Sequence, residues 1–163
     1  MKHAFYILNI LMLSIGCFGQ DYDYYFIGDT SDIQVSPQFG ICMMGGATEN
    51  DEGARWFIEK ANQGNILVLR ASGSDGYNDY FYSQLGLNPQ SVETIVFNNA
   101  SASEDPFVLD RISQAEAIWF AGGNQAVYES YWKKKPSRWR PKHHRECFSQ
   151  HPIPVNINIE EMN

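Results

Sequence analysis

A chain of 163 residues, with 44% apolar, 19% charged and 14% aromatic positions, has room for one domain around one core, and this composition excludes global disorder. A formal net charge of −7 makes the body of the chain a poor nucleic-acid binder, and three cysteines are too few for a disulfide framework.

The first residues, Lys2-His3, precede an apolar run from Ala4 to Ile15 that only Asn9 interrupts, and Cys17-Phe18-Gly19 precede the polar Gln20-Asp21. This is the layout of a secretory signal, with cleavage expected after Gly19. The run is shorter than the roughly 20 residues that a bilayer span needs. Lipid attachment at Cys17 is the lesser alternative, because Ser14 stands where such signals carry Leu. The mature chain is therefore expected to be exported, periplasmic or extracellular, with no membrane role beyond export. Residues 20–36 read as an N-terminal extension.

The run Phe39-Gly40-Ile41-Cys42-Met43-Met44 predicts a strand buried on both faces and stopped by Gly45-Gly46. A helix follows, capped by Thr48 or Asn50, opened by Asp51 and Glu52, carrying Ala54, Phe57, Ile58 and Ala61 at helical spacing, and ended by Gly64. Asn65 to Ala71 predicts a second strand and Ser72-Gly73-Ser74-Asp75-Gly76 a glycine-rich loop. A helix over Tyr77 to Leu85, a strand over Val92 to Phe97, a helix over Pro106 to Ser113 and a strand over Ala117 to Ala121 come next. Gly122-Gly123-Asn124-Gln125 then leads into a last helix from Ala126 to Trp132. Such alternation predicts an α/β fold, a parallel sheet with helices on both faces, and three loops gathered at the carboxyl ends of the strands, where ligands bind in such sheets.

Glycine after a strand often serves only the turn. Neither Gly45-Gly46 nor the loop at Gly73 supplies a dinucleotide fingerprint, and there is no phosphate-loop lysine, so no cofactor is expected. Gly122-Gly123 with Asn124 and Gln125 offers backbone N–H groups and amide donors at a strand end. That place can hold an oxyanion or serve only as a turn.

Between Gln20 and Trp132 acids far outnumber the four bases Arg55, Lys60, Arg70 and Arg111. The balance then inverts: Lys133, Lys134, Lys135, Arg138, Arg140, Lys142 and Arg145 come with no acid among them, and Pro136 and Pro141 interrupt any helix. Such a run can be a solvated tail, a polyanion contact or a translation of the wrong frame. His143, His144, Cys147 and His151 match no zinc spacing, so no metal is expected, and no Cys42–Cys147 disulfide is expected either.

Three ordered stretches, Met44-Gly45-Gly46, Val68 to Asn78 and Ala115 to Gln125, together resemble the cyanophycinase and aspartyl-dipeptidase family of serine peptidases. The resemblance runs from about Phe39 to Lys133. It implies a fold like that of class I glutamine amidotransferases (flavodoxin-like), with a peptide as substrate and acyl transfer to water through a serine, a histidine and an acid. It also implies that Gly122 and Gly123 contribute to an oxyanion hole and that Gln125 faces substrate. Gly45, Gly46, Ser72, Gly73, Ser74 and Asp75 are further loop candidates. The family's Gly-Thr-Ser-Ala-Gly elbow has no counterpart here: the matching region, Ile153-Pro154-Val155-Asn156-Ile157-Asn158-Ile159, contains no serine. The expectation is an incomplete domain over residues 37–132 and an aberrant or disordered basic tail over residues 133–163. A truncated or frameshifted, inactive family member is the first reading and a non-enzymatic exported ligand-binding domain the second.

Overall fold

The computed structural model describes residues 20–45 and 48–132, and the backbone of Cys147 and Phe148. The predicted leader with Cys17, Gly46, the basic run, His143, His144, His151 and residues 153–159 lie outside the described residues. In chain order the elements are β1 (Tyr22–Gly28), α1 (Asp51–Lys60), β2 (Asn65–Arg70), α2 (Gly76–Asp79) running into a π-turn (Tyr80–Gln84), and β3 (Ser91–Phe97). A 3₁₀ turn (Ala100–Glu104), α3 (Pro106–Gln114), β4 (Ala117–Phe120), α4 (Gln125–Trp132) and β5 (Cys147–Phe148) complete the set.

These elements form an α/β fold around a mostly parallel mixed sheet ordered β1-β3-β2-β4-β5. β2 runs parallel to β3 and β4, and the two-residue β5 runs parallel to β4. β1 is antiparallel to β3, so the wholly parallel sheet expected from sequence is corrected to a mixed one. The added strand comes from the stretch that reads as an N-terminal extension.

The apolar run of β2 serves both faces of the sheet, as a central parallel strand must. Ile66 and Val68 join Ala54, Phe57 and Ile58 of α1, together with Phe81 and Trp119, in one core. Leu67 and Leu69 join Val108 and Ile112 of α3, with Ile95, Phe97 and Phe120, in the other. The first core is aromatic at its centre: Trp119 lies 5.0 Å from Phe57 and 5.1 Å from Phe81 between ring centroids.

The strand predicted over Phe39 to Met44 does not form. The segment lies outside the sheet with Phe39, Ile41 and Met43 exposed, while Cys42 and Met44 pack against the core beside α1. Only alternate residues of the run reach the core, and β2 already carries a parallel neighbour on each side. No slot beside it remains. Helix α1 begins as predicted, with the Asn50 side chain accepting from the Gly53 N–H at 2.8 Å. Its end differs: Asn62 and Gln63 take the left-handed backbone, at φ of 51° and 61°, in place of Gly64. Gly64 is required for space, since a Cβ there would stand 2.4 Å from the Glu116 side chain. The helix predicted over Tyr77 to Leu85 widens midway, where the Leu85 N–H bonds the Tyr80 carbonyl at 3.3 Å.

Candidate functional site

β2 and β4 are adjacent and parallel, so the loops that follow them leave the same edge of the sheet. The Ala121 N–H donates to the Leu69 carbonyl at 3.0 Å and keeps the two chains together as they leave it. Beyond that point Tyr128, reaching back from α4, takes over. Its hydroxyl donates to the Ala121 carbonyl at 2.6 Å and approaches the Gly122 carbonyl at 3.3 Å. One phenol therefore braces the turn that leaves β4.

The loop Ser72–Asp75 is folded around the side chain that precedes it. The Arg70 guanidinium donates to the carbonyls of Ser72 and Ser74, each at 2.6 Å. Gly73 closes the turn at φ +91°, and a Cβ there would lie 2.3 Å from the guanidinium, so glycine is demanded twice over. Ser72, Ser74 and Asp75 are exposed, and Asp75 makes no side-chain cap bond to α2.

Gly123 rests against the Tyr128 ring, its missing Cβ 3.0 Å from that ring. Among the described residues the N–H groups of Gly122 and Gly123 find no acceptor. Asn124 caps α4 through its oxygens: Oδ1 accepts from Ala126 N–H at 3.0 Å and the backbone carbonyl accepts from Val127 N–H at 3.0 Å, and this capping does not use the amide Nδ2 donor. Gln125 is half-buried, with Nε2 3.5 Å from the Gly123 carbonyl, long for a hydrogen bond, and Oε1 buried without a partner among the described residues.

The third predicted loop reaches this edge through two tyrosines. Tyr77, directly after the Ser72 loop, donates to the Glu49 carboxylate, and Tyr80 donates to Asp51 Oδ1 at 2.8 Å. Gly45 is in irregular backbone, with open space where a side chain would stand. Burial, followed by the nearby carboxylates, pushes the Tyr77 and Tyr80 hydroxyls up, and burial does the same to Tyr128. All three remain protonated donors near neutrality.

Sequence reasoning selected the glycines and missed the side chains that hold them. Tyr128 and Tyr77 carried a readable signal, since an aromatic four residues after a capping Asn, or directly after a glycine loop, can fold back over the turn. Arg70 stood inside the recognised stretch with no role attached.

Among the described residues there is no histidine and no group of three His, Cys, Asp or Glu able to hold a metal ion. None of the described helices is long and apolar enough to cross a membrane. No family model, no curated protein and no solved structure matches the chain. The chemistry available at this edge is donation from backbone N–H groups to an anionic or carbonyl oxygen; among the described residues no histidine stands beside them.

Proposed function

We propose that the chain is an exported relative of cyanophycinase-type serine peptidases that keeps the oxyanion and substrate side of the site, at Gly122-Gly123, and lacks the nucleophile elbow. On this reading the sheet is that of a class I glutamine amidotransferase-like domain, and the polypeptide holds a peptide carbonyl or carboxylate without hydrolysing it. The observation that carries the proposal is that the N–H groups of Gly122 and Gly123 find no acceptor among the described residues, in a turn braced by Tyr128 at the carboxyl edge beside the Ser72–Asp75 loop. After Tyr131 the sequence supplies no serine between glycines, and Ser72 and Ser74 have no histidine within the described residues to activate them.

A fluorophosphonate probe, which labels activated serines covalently, tests the inactive half of the proposal. The purified chain is expected to stay unlabelled, and stoichiometric labelling would contradict it. Sequencing the coding DNA past codon 133 and reading all frames tests the frameshift version, which requires a Gly-x-Ser-x-Gly there.

A further inference from the structure

We propose that β1 is the seam of a twofold-symmetric dimer, in which two copies of this chain join their sheets edge to edge through antiparallel pairing of Tyr22–Gly28. β1 is the outermost strand and pairs only with β3 among the described residues. Its ladder has a fixed parity. Asn98 N–H bonds the Asp21 carbonyl at 2.9 Å and Asp29 N–H bonds the Gln90 carbonyl at 3.0 Å, so the odd-numbered residues of the strand face β3. The backbone N–H and C=O groups of Tyr22, Tyr24 and Phe26 therefore point to the outer edge.

Natural edge strands are blunted by Lys, Pro, bulges or short length. β1 has 7 residues, contains no Lys or Pro, and keeps an unbroken register with β3. The side chains of the three outward-facing residues share one face with Phe107. Tyr22 stacks on Phe107 at 5.9 Å, Tyr24 meets Phe107 edge-on at 4.8 Å, and Phe26 stacks on Tyr24 at 5.6 Å between centroids. This aromatic stripe ends in Phe26, which is 59% exposed.

A second copy has one register free of like-charge pairs, so charge selects the register. Outward-facing residues must pair with outward-facing residues, so the strand can slide only in steps of two. Tyr24 opposite Tyr24 sets Tyr22 of one copy against Phe26 of the other and Asp23 against Tyr25. Sliding one way places Asp23 opposite Asp23; sliding the other way places Asp21 opposite Asp29. Like charges directly opposite are destabilising. The central register alone among these three avoids them, and it covers the exposed Phe26 with an aromatic partner.

Sedimentation of the purified chain over a range of concentrations is expected to give twice the mass of one chain. Phe26→Pro removes an outward N–H that the β3 ladder does not use, and is expected to give a folded monomer. Tyr25→Lys, opposite Asp23 of the other copy, is expected to tighten the dimer several-fold, and Tyr25→Asp to weaken it several-fold. A monomer at every concentration, or a dimer indifferent to Phe26→Pro, overturns the seam. A dimer that Phe26→Pro dissociates but neither Tyr25 variant moves overturns the register.

Discussion

Tyr128 is the residue on which the candidate site depends most, because its hydroxyl serves the carbonyls of Ala121 and Gly122 while the residue is only 3% exposed. Tyr128→Phe leaves the Ala121 carbonyl short of a donor in a buried place, at a cost of about 1–3 kcal/mol in urea unfolding. Amide exchange at Ala121, whose N–H bonds the Leu69 carbonyl, is expected to quicken with it. Glu93 gives a pH signature instead. It is 4% exposed, accepts from the Tyr24 hydroxyl at 2.6 Å, and lies 3.6 Å from Arg111. Burial holds its carboxyl above the ordinary 4.5, against the opposing pull of Tyr24, Arg111 and Ser91. The folded state thus binds that proton more tightly than the unfolded chain, and stability is lost as pH rises from 4.5 through the folded value. Glu93→Gln keeps an acceptor for Tyr24 and is expected to remove that fall. An unfolding series across the same window, showing equal slopes for both chains, would count against it.

At the scale of elements, the three inner strands and the helices α1, α3 and α4 were legible because each carried a local signal: a continuous apolar run, an Asn cap, or apolar residues at helical spacing. β1 was not read as a strand, since Asp23 interrupts the apolar pattern, although Tyr22, Tyr24 and Phe26 alternate at the strand period. Phe39 to Met44 was misread for the opposite reason. Its apolar residues looked like a buried strand, and only tertiary competition for the sides of β2 excludes it from the sheet. Two truncations separate these assignments. Phe57→Ala empties a site between Phe81 and Trp119, at ring distances of 5.9 and 5.0 Å, and is expected to cost about 3–5 kcal/mol. Met43→Ala, at 83% exposed, is expected to stay within about 0.5 kcal/mol. Chemical denaturation of both variants checks the pair, and a large loss at Met43 would restore the buried-strand reading.

For the molecule as a whole, the sheet fixes where a ligand site can be and the loops fix what it can do. The carboxyl edge was foreseeable from the alternation of strands and helices, and Gly122-Gly123 from their position after a strand. What composition and spacing could not reveal is that Arg70 folds back into the Ser72–Asp75 loop, because a side chain wrapped by its own loop leaves no period in the sequence. The site is proposed to bind without cleaving. Backbone amide NMR of the chain titrated with an aspartyl dipeptide tests it most directly. The expected result is saturable shifts centred on Gly122 and Gly123, extending to Ser72–Asp75, with the peptide intact at the end. Amides of that edge that do not move, or hydrolysis of the peptide in the same tube, would contradict the account.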